Sequence, residues 1–495
     1  MAREPTWFDH GFSRINSCLG AVLALLAVTS AVPVASNRPS LWLLWTALIG
    51  SLGLCYHLLA WRMARRRPAH ALPFAGFFLL AALVPAYAML QAQDIASFVP
   101  KWMITMRAGM EPMAGGSISV VPDASMIGAL RYLGYLTFLA LVIEVCTRRE
   151  RVRLTSRILF CGIVLQAVWA LVALKILGDI ALFGEKTAYL GMATGTFINR
   201  NSLATFLGFG LVLGAGMIGF RCDKPTPRTG RPLSLFEKLG AEGLLVLVAM
   251  LILFLSLMAT QSRLGIASSL TGLTATILAI FWWQGRLSLW LLLAMPILLA
   301  LLSAAIALGG QDIADRALFS EVDGATRLAL YRQVIGMIAQ RPWTGFGFDC
   351  FGPAFEAFRG PPLNGQVAFA LAHDTYLTNW SEQGVIIGSV TPLLLLAATV
   401  VLIGRLRRSQ DFPASAASAI GTLVLGAMHS LGDFSLEIPA NNYVLLVIIG
   451  MGLARRTASG HSSNQVSAPV LAPRMAAGLP VTTGVSRVKI KDDPA

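Results

Sequence analysis

The chain is short of charge. Of its 495 residues only 13% are Asp, Glu, Lys or Arg, roughly half the share of about a quarter that soluble domains carry. That argues against a soluble enzyme and against a disordered protein. Cysteine is sparse as well: there are six, and no Cys-x-x-Cys pair occurs among them, which argues against a zinc site and against a secreted disulfide scaffold. Acidic residues are the scarcer sign, 25 against 39 Lys and Arg, for a net charge of +14. An excess of that size invites a nucleic-acid reading. The basic residues are not pooled on one domain, however, so no nucleic-acid partner is expected. They fall in short clusters between apolar runs, where the positive-inside rule puts them.

What the chain has in abundance is apolar sequence, 56% of all residues. Runs long enough to cross a bilayer as helices fall at roughly 15–36, 41–61, 71–91, 124–146, 154–176, 198–220, 241–260, 264–283, 287–308, 383–404, 414–432 and 437–454. The expected fold is therefore an all-α polytopic membrane protein of about twelve transmembrane helices. Basic clusters follow every even-numbered run: Arg62 to Arg67, Arg148 to Arg157, Arg221 to Lys238, Arg286, Arg405 to Arg408, and Arg455 with Arg456. This places both termini in the cytoplasm. The expected organisation is a cytoplasmic N-terminus at 1–14, nine helices within 15–308, a large non-cytoplasmic loop at 309–382 between helices nine and ten, three helices within 383–456, and a disordered cytoplasmic tail at 457–495. The first run has a second reading, a signal peptide, because small residues at Ala31 to Ala35 follow its apolar core; an uncleaved anchor is preferred. Only Cys350 lies on the non-cytoplasmic side, so no intrachain disulfide is expected.

Charged and polar groups at membrane ends are costly and therefore informative. Arg200 sits in Gly195-Thr196-Phe197-Ile198-Asn199-Arg200-Asn201, Arg263 in Thr260-Gln261-Ser262-Arg263, His373 in Ala372-His373-Asp374-Thr375-Tyr376-Leu377, and Asp433 in His429-Ser430-Leu431-Gly432-Asp433-Phe434. The span pattern delivers all four to the non-cytoplasmic face. Two arginines there suit a phosphate or pyrophosphate, which the planar guanidinium binds bidentately, and the start of the sixth span adds a positive dipole end. A histidine accepts a proton near neutral pH. Together these suit displacement of a pyrophosphate leaving group by an alcohol.

Plainer readings stand beside this one. Each arginine taken singly reads as snorkelling to lipid phosphates, His373 as a loop histidine, and Asp433 as the cap of the last helix. His57 and His429 read as hydrogen-bonded packing residues. Gly345-Phe346-Gly347-Phe348 with Gly352 faintly resembles a phosphate loop but lacks the following Lys-Ser or Lys-Thr. Glu321 and Asp323 offer a weak metal site in the large loop.

Several of these stretches resemble one family in order along the chain. Gly195-Thr196-Phe197-Ile198-Asn199-Arg200-Asn201-Ser202-Leu203-Ala204 is similar to the G-T-F-x-N-R-N-x-x-A motif of the O-antigen ligase superfamily. Ser262-Arg263, Arg341-Pro342-Trp343-Thr344-Gly345-Phe346-Gly347, Ala372 to Leu377, Glu382-Gln383-Gly384, and His429 to Phe434 running on to Ile438-Pro439-Ala440-Asn441 fit the same family. The resemblance spans about 190–455. It implies a GT-C-like fold, a bacterial inner-membrane location with the site and large loop facing the periplasm, and an inverting, metal-independent glycosyltransferase without cofactor. It implies an undecaprenyl-pyrophosphate-linked glycan as donor and either lipid A–core or a growing glycan as acceptor. Carried over, Arg200 and Arg263 grip the pyrophosphate, His373 activates the acceptor hydroxyl and Asp433 shapes or polarises the site. Asn199, Asn201, Arg327, Asp374 and Tyr376 are the expected substrate-binding residues. The family commonly has Asn where this chain has Asp374, and the extra carboxylate either raises the basicity of His373 or shares its role. A glycolipid flippase and a structural subunit of a polysaccharide export complex are the alternatives in other functional classes.

Overall fold

The computed structural model describes residues 7–64, 69–104, 116–222, 234–288, 324–363, 368–408 and 414–455. Among these residues the chain is helical, without strands. The helices are α1 (Trp7–Thr29), α2 (Pro39–Ala64), α3 (Ala75–Gln91), α4 (Pro122–Val145), α5 (Arg149–Lys175), α6 (Arg200–Cys222), α7 (Leu235–Ala259), α8 (Arg263–Trp283), α9 (Gly324–Gln340), α10 (Phe351–Phe355), α11 (Thr375–Gly388), α12 (Val390–Arg408), α13 (Ala414–His429) and α14 (Pro439–Leu453). Nine described helices, α1 to α8 and α12, are long and apolar enough to cross a membrane, and α13 and α14 are shorter apolar helices. Leucines on the outer faces, such as Leu54, Leu79, Leu165, Leu245 and Leu396, are exposed, as a bilayer solvent requires. The chain is a polytopic α-helical membrane protein.

The helix ends follow ordinary capping chemistry. The Ser234 hydroxyl and Glu237 carboxylate form a capping box at the start of α7. Ser262 caps α8, its Oγ accepting from Gly265 N at 3.2 Å. Pro122 opens α4 and Pro439 opens α14, where a missing N–H is harmless.

Helix α6 is the hub, with 83% of its apolar window buried. It packs on α5, α7, α8, α13 and α14. Close approach depends on small residues: a Cβ on Gly208 would lie 2.2 Å from Ser269 Oγ, and one on Gly421 would lie 2.5 Å from Gly272 O. Helices α2 and α3 pack on α4, and α12 packs on α3 and α13. The described part of the large loop has its own core, built from Leu330, Val334, Met337, Phe346, Phe351, Phe355 and Phe369.

Three sequence expectations shift here. The tenth span, expected from 383, starts at Val390 instead: Gly384 (φ 72°, ψ 166°) breaks the helix and α11 ends at Gly388. A Cβ at Gly384 would come within 2.3 Å of Trp343 O, so the break is set by contact with the Arg341–Gly345 loop. The first helix ends at Thr29, and 30–36 turns back into the bundle, where Ala31 O accepts from Thr196 Oγ1 at 2.6 Å. His57 is exposed on α2 with no hydrogen bond among the described residues, so it is not a hydrogen-bonded packing residue; its ring lies beside that of Tyr56, centroids 5.6 Å apart. His429 does pack as expected, buried with Nδ1 2.8 Å from Thr205 Oγ1. The expected ninth span at 287–308 lies almost wholly outside the described residues, as do Glu321, Asp323 and the tail from 457.

Candidate active site

The site is assembled at the end of the bundle where α6 and α8 begin and α7 and α13 finish. Arg200 is the first residue of α6 and Arg263 the first of α8. The two starts are tied together: Ser262 Oγ donates to Asn201 Oδ1 at 2.7 Å, and Asn199 Oδ1 accepts from Asn201 N at 2.6 Å. Asn199 and Asn201 thus act first on the backbone and on each other's turn. Arg200 Nη1 donates to Gln261 O at 3.1 Å and meets Met192 Sδ at 3.0 Å, with the Tyr189 ring 5.8 Å from its guanidinium carbon. The loop beneath it is held by Lys186, which pairs with Asp179 and donates to Met192 O at 2.7 Å. Arg263 is exposed and makes no hydrogen bond or ion pair among the described residues. Two helix N-termini and two guanidinium groups therefore share one rim, where the helix dipoles and the arginines add their positive charge.

The imidazole arrives on the loop before α11. His373 takes the left-handed region (φ 55°), uncommon for a residue with a side chain. Its carbonyl accepts from the Tyr331 hydroxyl of α9 at 2.9 Å, and its ring meets Phe434 edge-on at 4.9 Å. Burial pushes the Tyr331 phenol up, so it stays a donor across the physiological range. Asp374 caps α11: its Oδ1 accepts from Tyr376 N and Leu377 N, both at 2.9 Å. Burial raises its pKa against the lowering effect of those two bonds.

The turn at 430–435 joins the two halves. Thr375 N donates to Ser430 O at 3.1 Å and Thr375 Oγ1 to Asp433 O at 3.2 Å. Arg327 Nη1 donates to Gly432 O at 3.1 Å. Gly432 is wedged between the two helix groups, since a Cβ there would lie 2.9 Å from Leu264 and 4.0 Å from Arg327 Nη1. Ser435 Oγ lies 3.5 Å from Ser202 Oγ on α6. Asp433 is fully buried, its Oδ1 accepting from Phe434 N at 2.8 Å and Ser435 Oγ at 2.9 Å. It does not cap the last helix, whose N-cap is Ile438 with no side-chain bond. Tyr376 turns away toward α13, donating to Ala427 O at 3.1 Å.

The Gly345-Phe346-Gly347-Phe348 stretch is a clasp. Gly345 N bonds Arg341 O, Phe346 N bonds Ser381 O, Gly347 N bonds Glu382 O, and Val385 N bonds Pro342 O, all between 2.7 and 3.0 Å. Arg341, 1% exposed, donates to Ile118 O at 2.9 Å. These two motifs lock to each other, and the amides of Gly345, Phe346, Gly347 and Phe348 are bonded within the protein rather than turned to a phosphate.

No curated protein matches the chain at a significant level. Residues 248–391 match the family model described as O-antigen ligase. Over that stretch the chain is similar to the O-antigen ligase family. The matched stretch holds Arg263, Arg327, His373, Asp374 and Tyr376, while Arg200 and Asp433 lie outside it; Arg200 reaches it at Gln261, its neighbour Asn201 at Ser262, and Gly432, next to Asp433, at Arg327. The similarity to an O-antigen ligase domain and the nine described helices long and apolar enough to cross a membrane together support a bacterial multi-pass membrane protein.

The structure also presents groups that sequence reasoning passed over. Tyr331 is one. Arg131 in α4 is another: its Nη2 pairs with Asp349 at 2.6 Å and its guanidinium lies 4.2 Å over the Trp42 ring. A charge inside the apolar run 124–146 was the available signal. Asp349 reaches it because Gly128 has no side chain; a Cβ there would lie 2.3 Å from Asp349 Oδ2. Close by are Glu382, whose carboxyl burial pushes well up with Asp349 and Glu437 adding to the rise, and Glu437, pushed up to about 8 by burial.

Proposed function

We propose that this protein is a periplasm-facing glycosyltransferase that moves a glycan from undecaprenyl pyrophosphate to a hydroxyl acceptor, in lipid A–core ligation or repeat-unit polymerisation. The reading includes a GT-C-like arrangement of about twelve spans, the ninth at 287–308, a periplasmic loop at 309–382, both termini in the cytoplasm, and an inner-membrane location. The observation that carries it is the meeting of the α6 and α8 N-termini, with Arg200 and Arg263, at the turn that also receives His373 and Asp433.

In this reading Arg200, Arg263 and the two helix dipoles hold the diphosphate and stabilise the charge that grows on it as it leaves. The acceptor oxygen attacks the anomeric carbon from the face opposite the leaving group. A new C–O bond forms, the bond from the anomeric carbon to the pyrophosphate oxygen breaks with its electron pair going to that oxygen, and the acceptor proton passes to the His373 imidazole. The configuration inverts and no metal takes part. Tyr331 fixes the backbone that carries His373. Asp433 and Arg327 hold the 430–435 turn between the two halves, and Asn199, Asn201, Asp374 and Tyr376 shape the walls.

Arg263→Ala and His373→Ala should each abolish glycan transfer in cells while the protein remains in the membrane. Normal surface glycan in both variants would overturn the site. Activity of purified protein that is lost in EDTA and restored by Mg²⁺ or Mn²⁺ would overturn the metal-free step.

A further inference from the structure

At the end of the bundle opposite the candidate site, where α6 finishes and α5 and α13 begin, lies a cavity of about 290 Å³. Four arginines border it: Arg149, Arg153 and Arg157 from α5 and Arg221 from α6. The three on α5 are spaced four residues apart, so they stand on one helix face, where like charges repel. The acidic residue in the same wall is Glu242 of α7, which accepts from Arg157 Nη2 at 3.1 Å and from Arg221 Nη2 at 2.5 Å. One carboxylate is thus shared by two of the four guanidinium groups, and the lining keeps an excess of positive charge.

Between the arginines the wall is apolar, formed by Val152, Leu213, Met217 and Phe220. The Arg153 guanidinium lies 4.7 Å from the Phe220 ring, which holds the cation over an aromatic face at the cavity. Arg149 opens the span of α5 and Arg221 closes that of α6, so these charges sit where the spans leave the bilayer. Leu213 stands two turns before Arg221, about 12 Å deeper along α6. A ligand that fits therefore carries negative charge at headgroup depth and hydrocarbon below it. A free phosphate or a nucleotide supplies the first without the second. A zwitterionic lipid supplies both but brings a cation against the arginines, whereas phosphate oxygens alone match the guanidinium fork. The volume lies at the lower edge of the range of about 300–1,000 Å³ usual for ligand sites, enough for a headgroup with its first methylene groups and not for a whole lipid.

We propose that this cavity binds the headgroup of an anionic phospholipid of the cytoplasmic leaflet, one with two phosphates and no cationic group, of cardiolipin type. Its phosphates pair with Arg149, Arg153 and Arg157 on α5, and its first methylene groups rest on Leu213 and Met217 of α6. Such a lipid ties together the ends of α5, α6 and α13 that are remote from Arg200 and His373. It braces α6, which starts at Arg200, and α13, which leads into the 430–435 turn. Lipid binding here is independent of the transferase reading.

The test titrates the full chain, purified in detergent and stripped of lipid, with cardiolipin or phosphatidylcholine, and counts bound lipid by native mass spectrometry. Cardiolipin should bind and raise the unfolding temperature; phosphatidylcholine should do neither, and inorganic phosphate should not displace cardiolipin. Arg153→Gln should weaken cardiolipin binding about tenfold. Arg62→Gln removes the same charge from the end of α2, on the same side of the bundle but outside the cavity, and should leave binding unchanged. Glu242→Gln removes the competing carboxylate and should tighten binding several-fold, whereas Glu150→Gln, in the first turn of α5 but outside the lining, should not. Equal weakening by both arginine variants, equal binding of phosphatidylcholine, or displacement by inorganic phosphate would overturn the proposal. Should Arg153→Gln fail to fold, a cardiolipin with a diazirine beside its glycerol reads the parent protein: labels should fall on residues 149–157 and 213–221, and labels confined to other helices would overturn the site. Cardiolipin binding in a parent protein that forms no glycosidic bond would support the lipid site and remove the transferase reading. Glycan transfer by a protein that binds no cardiolipin would do the reverse.

Discussion

At the residue scale, His373 depends on a backbone bond that no motif announces. The Tyr331 hydroxyl holds the His373 carbonyl in a left-handed turn. Tyr331→Phe keeps the ring and removes that bond, at a cost of about 1 kcal/mol. Transfer should slow several-fold through kcat, with acceptor KM little changed, which steady-state kinetics on purified protein measures. Glu437 supports a prediction in pH. Its carboxyl, with an ordinary value of 4.5, is held protonated up to about 8. Between those values the unfolded chain has lost the proton and the folded chain has kept it, so stability falls as pH rises, by up to about 1.4 kcal/mol per unit. Below 4.5 both states are protonated and the cost is absent. Thermal unfolding in detergent should show this slope in the parent protein, and Glu437→Gln should flatten it.

Elements decide which of two roles Asp374 has. Its bonds to Tyr376 N and Leu377 N make it the N-cap of α11, the helix that ends in the Gly384 break and meets the Arg341–Gly345 clasp. Asp374→Ala should cost about 1 kcal/mol and loosen the His373 loop with it. Asp374→Asn keeps the cap and discriminates: retained activity with an unchanged pH profile fits a capping role, whereas lost activity with a shifted profile assigns it a share in proton transfer. Gly345 makes the matching case on the clasp. It has φ 63°, and a Cβ would lie 2.3 Å from Glu382 O. Gly345→Ala should therefore destabilise the clasp by a few kcal/mol and lower the yield of folded protein, seen as early aggregation in size-exclusion chromatography.

The whole molecule rests on close helix contacts that bring remote segments to one rim. At Gly421 in α13 a new Cβ would lie 1.9 Å from Thr276 Oγ1 of α8, while at Gly404 in α12 it would meet nothing within 4 Å. Gly421→Val should lower the melting temperature in detergent sharply and abolish transfer with it; Gly404→Val should do neither. The pair separates damage to the bundle from any change in helix propensity, because both positions are helical.

Much of this was legible along the chain. Apolar runs mark helices because a bilayer leaves backbone polar groups no other partner, and the arginines stand at helix starts because Asn199 and Ser262 are capping residues placed just before them. The expected start of the tenth span lies too early because Gly384 leads directly into the apolar run from Val385, and contact with Trp343 breaks the helix there. Arg131 was readable as a charge in a span, but its partner Asp349 was not, since 218 residues separate them. Hydrophobic pattern and capping chemistry are local, so the sequence by itself determined the helical membrane class, the motif order and the residue types at the helix starts. Which of those residues face one another, that Asp374 caps while Asp433 is sealed beneath a turn, and that α5, α6, α7 and α13 close a basic cavity at the other end were decided by the tertiary structure, because each depends on close approach between segments far apart in the chain.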